Sequence, residues 1–467
     1  MEGLLLLLIT CLAGALRTLE LTGRGLNLDE GFSAFLAQTP VPKFWGLIWL
    51  SELNMALYYA LLRLWTGFGH GEFVIRSFSV LLATATMPVV YLLGTRLFDS
   101  RTGLIAALLL ALHPFHFVLS QSARSYALVI LMACLASLFF LRGLDHPSAG
   151  NWTAYALFAA GAVYSHFFAA LVIVAHGVSL LFTRRRRVPW KWLAMAWSLL
   201  TLLLLPVVVF LLRHRDAANV AWVAPLSLEQ ARYVLYSLTL SKYRWLAYAA
   251  AWMLAGWYTF RRPVGQSAWP FWFTACWLLL PPAITIAGSL LQPILVERYL
   301  AVCIPAAVLL AGDGIARLAQ RRLAVALGLL LVILFYSASN IRFYLRQAEF
   351  DENWREATAF VLAGAQPGDE VVIMEGLPRV VFDYYRLTST TTVRGLIIAG
   401  SADAQLPNPA PENVWFMGSI RLKPHWEDEA HRFLEIHRQD YCSVTPKLAP
   451  GPIKVWQFKH CGPRPGT

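Results

Sequence analysis

The chain has 467 residues, of which 58% are hydrophobic and 14% are charged, and its formal net charge is +12. Charged residues make up about a quarter of an ordinary soluble protein, so this composition excludes a soluble fold of this size. The basic residues gather in short loops such as Arg184 to Arg187, Arg261-Arg262 and Arg321-Arg322. This is the charge bias of cytoplasmic loops, and no basic patch with stacking aromatics stands elsewhere. We therefore expect no nucleic-acid partner.

Long apolar runs predict a helical membrane domain, because about 20 apolar residues carry a helix across the hydrocarbon core. Residues 192–212, 245–260 and 323–340, for example, contain no charged side chain. The first run is interpreted as a retained span rather than a signal peptide, since Glu2 leaves it without a basic start. The predicted spans are 3–20, 73–95, 103–119, 124–142, 190–212, 244–260, 268–290, 297–317 and 323–340, with two more within 152–182.

The segment 152–182 is long for one helix and short for two, and the charge bias decides its division. Arg142 and the run 184–187 should both be cytoplasmic, so an even number of crossings lies between them. Two short helices that turn near His166 on the outer side meet this condition, and so does a re-entrant hairpin. The prediction is about eleven spans with a cytoplasmic N-terminus. The outer face then comprises residues 21–72, 120–123, 213–243 and 291–297.

The composition becomes polar beyond residue 340, and the pattern there predicts a small α/β domain on the outer side. The predicted elements are helices at 353–365 and 425–437, a turn at 366–369, and strands at 370–374, 414–417 and 453–458. The predicted domains are therefore a transmembrane domain, 1–345, and an extracytoplasmic domain, 346–467. Of the six cysteines, Cys442 and Cys461 lie in this outer domain and predict a disulfide in an oxidising compartment. Two buried free thiols are the alternative.

The first outer loop carries two adjacent carboxylates, Asp29 and Glu30. Near a membrane, carboxylates are costly without a task or a partner, and one of them can act as a general base on a hydroxyl. The alternative is an acidic first turn that favours the helix dipole. Tyr58 and Tyr59 follow in a short aromatic stretch, which predicts an interfacial helix. These tyrosines either line a site or belong to an aromatic belt.

Two arginines stand at outer span boundaries, Arg124 and Arg298. The forked donors of arginine suit phosphate, so the two predict a cationic clamp. The alternatives are snorkelling for Arg124 and an ion pair for Arg298. His166, at the predicted outer turn, favours a structural role. The sequence contains no P-loop, dinucleotide fingerprint or metal-ligand spacing, so neither a cofactor nor a metal is expected.

Several stretches, in chain order, together resemble the GT-C glycosyltransferases of family 39, which include protein O-mannosyltransferases and aminoarabinose transferases. The stretches are Leu28-Asp29-Glu30 with Phe32-Ser33, Leu57 to Trp65, Glu72-Phe73 with Arg76-Ser77, Ser120-Gln121-x-Ala123-Arg124-x-Tyr126-Ala127-Leu128, and Glu297-Arg298-Tyr299-Leu300. Asn353-Trp354-Arg355 and Gln366 to Asp369 resemble the outer domain that often follows. One departure is Asn54-Met55-Ala56, which stands where the family often has His-Pro-Pro.

The resemblance implies a sugar donor on a polyprenyl phosphate and inverting transfer to an acceptor hydroxyl. It implies Asp29 as the base and the two arginines as stabilisers of the leaving phosphate. The resemblance further implies that Glu30 and Tyr58 orient the sugar or the acceptor. The candidate substrate-binding residues as a whole are Glu30, Tyr58, Tyr59, His116, Arg124, Tyr126, His166 and Arg298. It leaves the sugar open among mannose, another hexose and aminoarabinose. The acceptor is likewise open among protein, lipid and glycan. A transporter or flippase and an inactive scaffold are the competing interpretations.

Overall fold

The computed structural model describes residues 1–183, 188–214, 223–261, 267–346, 352–373, 376–388, 397–399, 411–419, 426–447 and 452–462. The basic run 184–187, which set the predicted topology, and Arg262 lie outside the described residues. The chain divides into a first unit, Met1–Leu19, Pro40–Gly67 and Val74–Phe343, and a second unit, Glu20–Thr39, Phe68–Phe73 and Tyr344–Thr467. The predicted boundary after residue 345 is close to the last of these divisions. The sequence did not indicate that two parts of the first loop pack with the C-terminal segment.

Among the described residues up to 346, the regular elements are helices. In chain order the α-helices are α1 (Glu2–Thr18), α2 (Leu28–Gln38), α3 (Val41–Leu47), α4 (Ala56–Trp65), α5 (Glu72–Leu97), α6 (Ser100–Ala111), α7 (Pro114–Ser120), α8 (Tyr126–Asp145), α9 (Ala149–Ser165), α10 (Ala170–Ser179), α11 (Trp190–Arg213), α12 (Leu228–Leu238), α13 (Trp245–Phe260), α14 (Trp269–Ser289), α15 (Ile304–Ala319) and α16 (Leu323–Arg346). A π-helix spans Ile48–Glu52, and 3-10 helices span Leu53–Met55, Thr66–Phe68, Phe167–Ala169, Leu180–Phe182, Lys242–Arg244 and Glu297–Cys303.

The centre of the first unit is α15, which is almost wholly buried and packs against α6, α13 and α14. Gly314 permits the close approach to α13, because a Cβ at this position would lie 1.9 Å from the carbonyl oxygen of Ala251. By contrast, α11 and α16 expose large apolar side chains such as Leu202 and Leu331. A broad exposed apolar face needs a nonaqueous environment, so these two helices have the surface expected of lipid-facing spans.

Six described helices are long and apolar enough to cross a membrane, or seven if α6 and α7, which meet at a bend of 60°, form one span. The other four predicted spans correspond to α1, α9, α10 and α13, which have 17, 17, 10 and 16 residues. Helices of this length rise about 25 Å or less, against a hydrocarbon core of about 30 Å. The membrane domain is therefore a finding, whereas the count of about eleven spans stays a prediction.

The second unit contains the C-terminal helices and strands. They are α17 (Trp354–Gly364), β1 (Glu370–Ile373), α18 (Gly376–Thr388), β2 (Ile397–Ala399), β3 (Asn413–Ser419), α19 (Trp426–Ile436), β4 (Tyr441–Lys447) and β5 (Ile453–His460). The described strands form one mixed sheet of order β2-β1-β3-β5-β4, in which β1 is parallel to β2 and β3, and β5 is antiparallel to β3 and β4. Its core includes Val414, Phe416, Phe433 and Phe458. The predicted helices and strands agree with α17, β1, β3, α19 and β5 to within about two residues, whereas α18, β2 and β4 were not predicted.

Cys461 is disulfide-bonded, whereas Cys11, Cys134, Cys276 and Cys303 are free. The side chain of Cys442, its predicted partner, lies outside the described residues. The pairing of these two cysteines therefore stays a prediction.

Candidate active site

Two arginines meet at one place in the first unit. Arg124 lies in the turn between α7 and α8, and Arg298 lies in the 3-10 helix Glu297–Cys303 that leads into α15. Both guanidinium groups are within electrostatic range of the His166 ring and of the Tyr299 hydroxyl. Arg298 also hydrogen-bonds to Tyr299, and its Cζ lies 6.0 Å from the centre of that ring. The two arginines of the predicted cationic clamp are thus half-buried and have common neighbours, while their binding of a phosphate stays a prediction.

Aromatic rings make up the rest of this cluster. The ring centres of His166 and Tyr299 are 4.5 Å apart, and those of His166 and Tyr126 are 6.1 Å apart. His166 has an exposed fraction of 2%, and its Nε2 makes no hydrogen bond among the described residues. Its Nδ1 accepts a hydrogen bond from the N–H of Phe168 at 3.4 Å. His166 therefore caps the backbone that follows it and also lies beside the two arginines.

Tyr59 connects Arg124 to a carboxylate that the sequence analysis did not single out. Nη1 of Arg124 donates to the Tyr59 hydroxyl at 3.0 Å, and this hydroxyl donates to Oε2 of Glu52 at 3.2 Å. Tyr58, by contrast, shares a 3.0 Å hydrogen bond with Ser79. Both tyrosines are fully buried, whereas belt residues lie at the lipid–water interface. The interior position and the contact with Arg124 therefore favour the site interpretation for Tyr59.

Asn54 explains how the departure from the family pattern is accommodated. Its Oδ1 accepts the N–H of Phe167 at 2.8 Å, at the start of the 3-10 helix that follows His166. An amide oxygen that satisfies a free helix-start N–H stabilises the turn. Asn54 thus helps to hold the backbone next to His166.

His116 lies in a different hydrogen-bond network from the arginine cluster. Its Nδ1 is 2.8 Å from Nη2 of Arg17, a fully buried residue of α1. Arg17 also donates to the carbonyl oxygens of Leu110 and Ala111, where α6 ends before its bend. The last carbonyls of a helix lack some of their intrahelical donors, so Arg17 adds hydrogen bonds there, although the Leu110 oxygen also accepts the N–H of His113 at 3.2 Å. The contacts of His116 are those of a residue that stabilises the bend. Sequence reasoning missed Arg17, which stands in an otherwise apolar span.

Asp29 and Glu30 belong to the second unit and lie in the first turn of α2. The Glu30 carboxylate accepts the N–H of Asn27 at 3.2 Å, and the Asn27 side chain accepts the N–H of Glu30 at 2.9 Å, which forms a capping box. The helix-cap interpretation therefore applies to Glu30, which is buried. Asp29 is half-buried and is not part of this cap. Within the described ranges, no group of three or more His, Cys, Asp or Glu side chains could hold a metal ion.

The family described as "Dolichyl-phosphate-mannose-protein mannosyltransferase" matches residues 55–212, which include α4 and Arg124. A search of curated proteins gives no match.

Solved structures match the whole chain at low identity. ArnT from Cupriavidus metallidurans bound to undecaprenyl phosphate has a TM-score of 0.65 and 15% identity, and the match covers 97% of each chain. The Archaeoglobus fulgidus oligosaccharyltransferase has a TM-score of 0.59 and 11% identity, over 100% of this chain and 75% of that chain. The mycobacterial arabinofuranosyltransferase AftD has a TM-score of 0.54 and 14% identity, over 96% of this chain and 39% of that chain.

The chain therefore has the fold of a polytopic membrane protein of the GT-C superfamily of glycosyltransferases. The resemblance that the ordered sequence motifs predicted is confirmed, and the family-matched segment 55–212 is the mannosyltransferase-like part.

Proposed function

We propose that the chain is an inverting glycosyltransferase that moves a sugar from a polyprenyl-phosphate donor to an acceptor hydroxyl at the outer face of the cell membrane. The observation that carries this proposal is the convergence of Arg124 and Arg298 on His166 and Tyr299 in the apolar first unit. Two guanidinium groups supply several charge-assisted donors, which match the oxygens of a phosphate. A lipid-linked phosphate reaches such a site from the membrane.

The arginines act on the leaving group. As the bond between the anomeric carbon and the phosphate oxygen breaks, negative charge grows on the polyprenyl phosphate. Donors fixed in advance near that oxygen stabilise the transition state more than the ground state. Tyr59 holds Arg124 in place by accepting one of its N–H groups, which reduces the reorganisation needed during the reaction.

Asp29 acts on the acceptor. Its carboxylate takes the proton from the acceptor hydroxyl while the acceptor oxygen forms the new bond to the anomeric carbon. The polyprenyl phosphate leaves from the opposite face, so the configuration inverts and the charges balance. Asp29 is assigned this role from the resemblance of Leu28-Asp29-Glu30 to the first-loop acidic motif of the family, while Glu30 caps the start of α2.

The comparisons support the donor class. The ArnT structure contains undecaprenyl phosphate, and a structure of the Archaeoglobus fulgidus enzyme AglB contains dolichol-phosphate. The mannosyltransferase description of the matching family makes mannose the first sugar to test and other hexoses the next. The proposed orientation has a cytoplasmic N-terminus and an extracytoplasmic second unit. An impermeant thiol reagent added outside should label a cysteine introduced at the exposed position 38. No labelling would contradict this orientation.

The proposal is tested with membranes that contain the full chain and a panel of radiolabelled polyprenyl-phosphate sugars. We expect release of polyprenyl phosphate, and a loss on the order of 10² to 10⁴ in rate for Asp29→Asn, the usual range for a general base. Asp383→Asn is the matched control, since Asp383 forms local ion pairs in α18. Unchanged transfer by Asp29→Asn would disprove the assignment of the base. Movement of labelled lipid between leaflets without sugar transfer would favour a flippase.

A further inference from the structure

Side chains from distant parts of the second unit hold the backbone that leads to Asp29. The N–H of Leu26 donates to the hydroxyl of Tyr385 at 2.5 Å, and this hydroxyl donates to Oε1 of Glu72 at 2.5 Å. Nη1 of Arg355 donates to the carbonyl oxygen of Thr22 at 3.0 Å and to Oε2 of Glu72 at 2.8 Å. The first loop is thus held at two backbone groups, the N–H of Leu26 and the carbonyl of Thr22, by the network of Tyr385, Glu72 and Arg355.

Both oxygens of the central carboxylate, that of Glu72, accept hydrogen bonds. Glu72 uses one oxygen for Tyr385 and the other for Arg355. Burial, together with the adjacent Glu72 carboxylate, raises the pKa of Tyr385. The hydroxyl therefore keeps its proton and donates to Glu72 while its lone pair accepts from Leu26. Networks of this kind, with a charged acceptor in a partly buried place, are stronger than isolated neutral hydrogen bonds.

Close packing restricts the segment on both sides of Asp29. A Cβ at Gly25 would lie 3.2 Å from Cβ of Arg355 and 3.3 Å from the Tyr385 hydroxyl. A Cβ at Gly31 would lie 2.3 Å from Cγ2 of Val381 in α18. Between these points, the N–H of Leu28 donates to Oε2 of Glu352 at 3.3 Å. The backbone around Asp29 is therefore fixed by contacts from α17, α18 and the residues just before α17.

We propose that Tyr385, Glu72 and Arg355 are positioning residues that fix the first-loop backbone and, through it, the Asp29 carboxylate. This inference rests on the role of Asp29 in the proposed function. The capping box sets where α2 begins, but its bonds are local to residues 27–30 and anchor the helix to nothing else. The network supplies the anchor, since it joins the loop to α17 and α18. A base displaced by about 1 Å loses on the order of 10² in rate.

The first experiment measures the backbone directly. Amide hydrogen exchange is followed in the purified full chain for wild type, Tyr385→Phe and Glu72→Gln. The matched control is Tyr384→Phe, because Tyr384 is the neighbouring tyrosine and its hydroxyl donates to the carbonyl of His70 instead. We expect faster exchange across residues 22–31 in the first two variants and wild-type exchange in the control. Unchanged exchange in Tyr385→Phe would overturn the inference.

The second experiment separates positioning from donor binding. For Tyr385→Phe we expect kcat to fall on the order of tenfold, while the KM for the polyprenyl-phosphate sugar stays within about twofold. Arg355→Lys, which keeps the charge but not the fork, should fall between Arg355→Ala and wild type. A rise in KM with unchanged kcat, or an equal fall in Tyr384→Phe, would overturn the positioning role. If the wild type transfers no sugar, the proposed function fails, and the exchange result still decides whether the network holds the loop.

Discussion

The two units of this protein arrange their charged groups in opposite ways. In the first unit, like charges converge, because Arg124 and Arg298 both lie near His166. In the second unit, opposite charges close on each other, because Glu72 accepts from Arg355 and Tyr385. Opposite charges in contact stabilise each other, whereas two guanidinium groups with common neighbours suit an anionic ligand. Under the proposed function, the arginines of the first unit bind the donor phosphate, and Asp29 of the second unit is the base.

The largest effect that tests this division is expected at the arginines. Arg124→Ala and Arg298→Ala should each lower the transfer rate by about 10² to 10³, the range for removal of one transition-state donor. They should also weaken binding of polyprenyl phosphate, whereas Asp29→Asn should leave it unchanged. Binding is measured by titration of the purified protein with polyprenyl phosphate. The control is Arg232→Ala on α12, an exposed arginine. If the arginine variants and Asp29→Asn bind polyprenyl phosphate equally well, the donor phosphate is not bound by the arginines of the first unit.

A smaller effect is expected at Tyr59. Tyr59→Phe removes the acceptor for Arg124 and the donor for Glu52, and the net value of such a hydrogen bond is about 0.5–1.5 kcal/mol. The transfer rate should therefore fall by roughly threefold to tenfold, with the folded state retained. The exposed Tyr243 gives the control variant Tyr243→Phe. A rate equal to wild type would show that Arg124 does not depend on Tyr59.

The smallest effect concerns the stability of the second unit. Glu370 in β1 is buried, and its Oε2 makes no hydrogen bond within the described part of the chain. Burial raises the pKa of this carboxyl from 4.5 to about 7. The folded state then binds the proton more tightly than the unfolded state, so stability falls as the pH rises from about 4.5 through 7.

Replacement of this carboxyl by a neutral amide should flatten that dependence. Thermal unfolding between pH 5 and pH 8 should show Glu370→Gln less sensitive to pH than wild type, with its advantage at pH 8. Glu435→Gln, at an exposed position of α19, should follow the wild-type curve. A steeper dependence in Glu370→Gln would mean that this carboxylate is stabilised in its charged form.

Local patterns were sufficient for much of the fold. Long apolar runs predicted the membrane helices, and short apolar runs predicted β1, β3 and β5. These signals are local, because each helix or strand must bury its own apolar face. The predicted turn near His166 separates α9 from α10, while the two crossings that charge parity assigned to them stay a prediction. The sequence did not predict the division of the chain into two units, because residues 20–39 and 68–73 join the C-terminal segment through contacts far apart in sequence.

The sequence indicated those candidate site residues that are charged and stand at the boundary of a predicted span. Arg124 and Arg298 stood out because an arginine beside an apolar run is costly without a task. Arg17 and Glu52 gave no such signal, since Arg17 was included in a predicted span and Glu52 stood in the predicted outer loop, away from any span boundary. Their roles depend on partners about 94 and 7 residues away, Ala111 and Tyr59. Periodicity does not report on such pairings.

The sequence by itself determined that this is a membrane protein, because composition and apolar runs act through the solvent and the bilayer, and its charge bias predicted a common outer face for the acidic and basic residues. Only the tertiary structure decided which of these residues have common neighbours. Arg124 and Arg298 lie near the same residues, and His116 contacts Arg17. Glu30 caps the start of α2, and the loop before Asp29 is hydrogen-bonded to Tyr385. Each of these choices depends on the packing of segments that are distant in the chain, and hydrogen-bond partners are selected only once that packing has formed.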